Sequence, residues 1–312
     1  MKRSSRNSWA RSWPLLGLLL SACASSPPER GASTPAAADS NDVDQVAATA
    51  LALWGTNAAN NGSQALSQIR RAADAAPERP DIQWLHLRIC IEVPGCEPQS
   101  VETRMRKLAP NNGVVWLGPL ARAQQRGDAR AEEQILDAMT KATQFDVYWT
   151  TLIARLAPPL SRTPVGTSVA QPLPTPLTNA MNSTVEWLSA LDTSAFKALS
   201  TACDEQHVRE PATRARCEQI SQALQKSDTT LAEGIGLGIA QRLTVPDSAS
   251  ALQVTQKVQT LRHLNQSSGA VVAAQVEKEK FSEQMLKLMA QLKKEQDVSR
   301  AILRWAGQPL TP

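Results

Sequence analysis

The sequence predicts an all-α protein. Three observations carry this: a composition rich in Ala, Leu, Gln and Arg, all good helix formers; no run of β-branched residues alternating with polar ones; and a period near 33 residues in the first half. Gly62, Gly95 and Gly127 are spaced by 33 and 32, Pro77 and Pro110 by 33, and Trp84, Trp116 and Trp149 by 32 and 33. Leu51 stands one period before Trp84. Such a period is that of a helix–turn–helix unit in a solenoid.

The elements follow in order. Residues 45–76, 80–109 and 112–143 are expected as three helical hairpins, with a last helix at 146–157. Gly62, Gly95 and Gly127 would let the chain turn inside each hairpin, and Pro77 and Pro110 would end the second helices. In "LAPNNGVVWLGPLARAQQRGDARAEEQILDAMTKAT", residues 108–143, the markers Pro110, Asn111, Asn112, Trp116, Gly127 and Asp128 resemble those of tetratricopeptide repeats. The Leu117-Gly118 pair stands early relative to that family. The resemblance implies a concave face built from first helices, with Leu85, Ile89 and Glu92 of one repeat and Leu117, Ala121 and Gln124 of the next meeting a protein partner.

Residues 158–178 hold six prolines and are expected as a linker or surface loop. Helices resume over 179–312. A short pair is expected over 179–191 and 193–203, with Asp228 and Asp247 as N-caps further on. The longest helix is expected over 270–295, on a seam of Phe281, Met285, Leu288 and Leu292. A bend is expected at "KKEQD" before Val298, Ile302 and Trp305 resume the pattern.

The front of the chain reads as an address. Lys2, Arg3, Arg6 and Arg11 precede an apolar run over 15–20, too short for a membrane span of ~20 residues. Leu20-Ser21-Ala22-Cys23 resembles the lipobox of bacterial lipoproteins. That resemblance implies a signal peptide over 1–22, acylation of Cys23, and an anchor in the outer membrane facing the periplasm. Residues 23–44, rich in Ala, Ser and Pro, read as a lipidated, disordered tether. Residues 1–22 carry four of the 33 basic residues and none of the 29 acids, so the rest is balanced at 29 of each. That balance, with no basic cluster among aromatics, argues against nucleic acid.

Four further cysteines fall in two local pairs, Cys90 with Cys96 and Cys203 with Cys217, and are expected as disulfides in an oxidising compartment. No metal site is expected, because neither pair has ligand spacing and His86, His207 and His263 are far apart in sequence. "GIGLGIA", residues 234–240, lacks the spacing of a dinucleotide loop and is read as close helix packing. His86 is read as a surface or edge residue. Glu277, Glu279 and Glu283 are read as a solvated face. No catalytic set and no cofactor is expected. The expectation is a non-catalytic binding protein with a protein partner: an immunity lipoprotein capping a periplasm-acting toxin such as a lipase or peptidoglycan hydrolase. The alternative is an envelope scaffold for a secretion, pilus or outer-membrane complex.

Overall fold

A computed structural model describes residues 42–163, 173–278 and 280–312. The expected signal peptide, Cys23 and most of the expected tether, as well as residues 164–172 of the expected linker, lie outside the described residues. The described chain is helical throughout, with one isolated parallel bridge between Asn112 and Gln144.

Helix α1 (Val43–Ala75) is broken at Asn57, whose backbone is extended, and so forms the first hairpin-like pair. Gly62 is not the turn. It lies inside the helix five residues on, buried against Val93, where an added Cβ would sit 3.3 Å from a valine methyl. Helices α2 (Pro80–Glu92) and α3 (Gln99–Leu108) form the second pair. Their turn holds Gly95 at φ +81° and is closed by the Cys90–Cys96 disulfide. In the third pair, a 3₁₀ turn over Gly113–Trp116 leads into α4 (Leu117–Arg126), followed by α5 (Ala129–Met139). Gly127 ends α4 at φ +63°, a left-handed C-cap that favours glycine, and Asp128 caps α5 through the Ala131 N–H. Helix α6 (Trp149–Leu160) starts three residues later than expected and runs through Pro158 and Pro159.

The hairpins do not form an open solenoid. In such an array each unit touches only its neighbours, and the first helix keeps a polar outer face. Here every residue from Val46 to Leu53 is buried. A helix apolar all round belongs inside a bundle, and α1 packs against α2, α6 and α7 (Pro176–Ala195). Asp44 at its start pairs with Arg79 at 2.5 Å and with Arg155 of α6 at 3.3 Å. The first and last helices of the repeat-like half are therefore in contact.

The C-terminal helices share this core. The short pair expected over 179–191 and 193–203 is present as α7, which starts earlier and runs longer, and α8 (Lys197–Ala202). The Cys203–Cys217 disulfide ties the end of α8 to α9 (Pro211–Leu224). Helix α10 (Thr230–Leu243) packs on α9. An added Cβ at Gly236 would meet Leu224 Cβ at 2.7 Å and Ser221 O at 2.9 Å, so the central glycine of "GIGLGIA" is needed for this approach. Gly238 faces open space. Helix α11 (Ala249–Gln275) is followed by α12 (Phe281–Gln291) and α13 (Glu295–Trp305). The single helix expected over 270–295 is thus two, separated at residues 276–280, where charged side chains leave no apolar seam to hold a continuous helix. Phe281 and Met285 are buried, and the bend expected before Val298 is present at Leu292–Lys294.

A polar hub joins the halves. The Val147 and Trp149 N–H groups donate to the two Asp228 carboxylate oxygens at 3.0 and 3.1 Å, and the Phe145 N–H donates to Ser227 Oγ. Asn112 accepts from the Asp146 N–H and donates to the Asp146 carbonyl. On the other side, Glu295 accepts from the Thr230 N–H and hydroxyl, and Gln296 donates to the Thr229 carbonyl. Asp228 is therefore not the cap of α10. Thr229 caps that helix, and Ser248 rather than Asp247 caps α11.

Candidate functional site

Of the six residues expected on a concave binding face, three are enclosed. Leu85, Ile89 and Leu117 are 1%, 0% and 2% exposed. Helix α2 packs against α1, α3 and α7, and α4 against α8, so these side chains lie inside the bundle. Arg88 of α2 donates through Nη2 to the Leu191 carbonyl at 2.6 Å and to Ser194 Oγ at 2.7 Å. Gln124 of α4 donates to the Ala198 carbonyl at 3.0 Å. The chain's own α7 and α8 thus meet the expected face at Glu92 and Gln124.

The other three, Glu92, Ala121 and Gln124, line what remains open, a groove of about 520 Å³ between α2, α4, α7 and α8. Its apolar part comes from Ile91, Pro98 and Ala121, over the Leu117 floor. Ile91 is one of few large apolar side chains left exposed, at 37%. The polar edge comes from Glu92, Gln124, Lys197 and Thr201. Sequence reasoning missed Ile91 because it is off the Leu85–Ile89 face. It also missed the α7 and α8 contribution, which lies about 100 residues away with no shared period.

The groove is braced by buried charge. The Arg88 guanidinium lies 5.7 Å from the Trp84 ring centre, beside Asp192. Burial pushes the Asp192 carboxyl up to about 7, against the attraction of Arg88 and a hydrogen bond from Trp84. Arg122 makes a two-pronged pair with Glu102 at 2.8 and 2.5 Å, fixing α4 to α3. Glu102 is 1% exposed, so losing Arg122 would strand a buried carboxylate. Cys96 stands in the groove wall, and its disulfide fixes the turn that presents Ile91 and Glu92.

His86 is buried, at 5% exposure, not at an edge. Burial, helped by the Arg70 and Arg104 charges, lowers its imidazole to about 4. Its Nδ1 has no hydrogen-bond partner among the described residues. His207 is on the surface against Asp204, and His263 donates through Nε2 to the Pro309 carbonyl. Among the described residues, no group of three or more His, Cys, Asp and Glu could hold a metal ion, and no helix is long and apolar enough to cross a membrane. No protein-family model, curated protein or solved structure matches this chain.

Proposed function

We propose that this chain is a non-catalytic, lipid-anchored periplasmic protein that binds another protein through the groove beside Ile91. The observation that carries the reading is the groove's make-up: an apolar centre of Ile91, Pro98 and Ala121 inside a rim of Glu92, Gln124 and Lys197. That is the anatomy of a protein-binding patch, where an apolar anchor is enclosed by polar groups. Two disulfides add stability suited to an oxidising compartment, and Cys23 in its lipobox-like setting supplies the anchor. The most concrete partner is a toxin acting in the periplasm, a lipase or peptidoglycan hydrolase, which this protein would cap as an immunity lipoprotein. The second reading is an envelope scaffold, favoured by the hairpin spacing it shares with tetratricopeptide assemblies.

Capture with the purified full-length chain in mild detergent separates them. One secreted toxin recovered at equal stoichiometry and inhibited on binding supports the first, while several envelope components support the second. Ile91→Asp should abolish capture while leaving the urea midpoint unchanged. Capture that survives Ile91→Asp would remove this groove as the site. Degradation of purified sacculi by the chain itself would overturn the non-catalytic reading.

A further inference from the structure

A second cleft, of about 650 Å³, lies between α9, α10, α11 and α13, away from every residue of the Ile91 groove. Its floor is Leu261 and Leu264 of α11, 8% and 2% exposed. Three cations line it: Lys226, Lys257 and Arg300. Two of them are held in place, Lys257 by Gln225 Oε1 at 3.1 Å and Arg300 by Asp297 at 2.8 Å. Lys226 has no ion-pair partner among the described residues. The one acid in the lining is Glu233, faced by Arg300, Lys294 and Lys257. Burial raises the Glu233 carboxyl above its ordinary range, which weakens its offset of these cations.

The remaining walls are amides and the Thr260 hydroxyl. Gln222 stands on α9, and Gln253 and Gln256 on α11. A glutamine amide both donates and accepts, as a peptide group does, so such walls can pair with a backbone laid along them. The lining contains no aromatic ring, the platform on which single-stranded nucleic acid stacks. From Gln253 to Leu264 the helix advances about 16 Å, the length of about five residues of extended peptide.

We propose that this cleft is a binding site for an extended peptide segment rich in carboxylates, seated lengthwise on α11. Its apolar spacer side chains face Leu261 and Leu264, its backbone meets the glutamines, and its carboxylates meet Lys226, Lys257 and Arg300. The proposal does not depend on the Ile91 groove or on the identity of the partner there.

The test is fluorescence anisotropy of a labelled Glu-Ala-Glu-Ala-Glu peptide against the purified full-length chain in mild detergent. Binding is expected below millimolar concentration, weakened at least tenfold when the peptide's glutamates become glutamines. It should also weaken on raising salt from about 50 to 300 mM, because the charges are near solvent. Lys257→Gln and Lys226→Gln, substitutions outside the core, should each lower affinity severalfold with an unchanged urea midpoint. The charge reversal Lys257→Glu should remove binding. No binding, equal binding of the glutamine peptide, or full binding by Lys257→Glu would each overturn the proposal. So would tighter binding of a sulfated hexasaccharide than of the peptide, which would make the site one for anionic glycans.

Discussion

From Val43 to Met139 most turns are satisfied locally. Asn112 accepts from the Val114 N–H, Asp128 from the Ala131 N–H, and Gly127 stops α4 by its own backbone conformation. From Pro176 to Trp305 several key contacts come from afar. Asp228 serves N–H groups 81 and 79 residues earlier, and Glu295 serves Thr230, 65 residues earlier. The first kind of contact repeats along the chain, so it leaves a period. The second occurs once, so it leaves none. The difference shows which part of a fold a repeat advertises, namely the hairpins and not their assembly.

The most disruptive way to break the comparison is to remove one capping carboxylate from each kind of turn. Asp228→Ala strands the Val147 and Trp149 N–H groups, each worth ~1–3 kcal/mol when buried and unpaired, so a loss of about 3 kcal/mol is expected. Asp128→Ala removes an exposed cap and should cost about 1 kcal/mol. Urea unfolding of both variants reads this directly. Equal losses would mean that the hub is no more demanding than an ordinary helix start.

The same distinction limits what was legible in advance. The Cys90–Cys96 and Cys203–Cys217 bridges, the Gly127 cap and the Phe281–Met285 seam could be read because every partner lies within a few turns. Asp228 could not, since its position before α10 invites a local cap and nothing nearby points to residue 147. Leu85 and Ile89 were placed on an open face because a helical period says which residues share a side, not what covers that side. Here α1, α3 and α7 pack around α2. The break at 276–280 is hard to read for a related reason: "VEKEK" is good helix sequence by propensity, and what it lacks is an apolar seam.

A smaller effect sharpens the comparison through pH. His86 packs within the hairpins among Arg70, Asp74 and Arg104, and its folded value is lowered to about 4. The unfolded chain therefore binds the extra proton between pH 6.5 and 4, and this site's stability falls as pH falls through that window. Asp192 joins α7 to Arg88, with Glu295 and Asp228 among the other charges near it, and its folded value is raised to about 7. The folded chain holds that proton between about pH 4 and 7, so this site's stability falls as pH rises. The two slopes oppose. Asp192→Asn should leave the rising slope exposed, by about 2 to 3 kcal/mol between pH 4.5 and 6.5 relative to the parent chain. His86→Gln should leave the falling one. Urea midpoints at three pH values decide it, and pH profiles parallel to the parent's would show that neither group is held as described.

The smallest expected effect separates packing from propensity within one helix. Gly236→Ala must push against Leu224 and the Ser221 carbonyl and should cost ~1–3 kcal/mol. Gly238→Ala, two residues along, meets nothing and should stabilise by up to about 1 kcal/mol. A thermal melt of each variant is enough. Matching signs would mean that α9 and α10 do not approach as closely as described.

The contact between α1 and α6 bears on how such a chain can change over evolutionary time. An open array grows or shrinks by whole units, because a duplicated hairpin simply extends a free end. Here neither end is free: α6 lies on α1, and Asp44 is held by Arg79 and Arg155 together. An inserted hairpin would part these helices and expose the apolar surface of residues 46–53. The number of units is therefore fixed by closure, and descendants of this sequence should vary in their turns and outer faces while keeping the hairpin count constant.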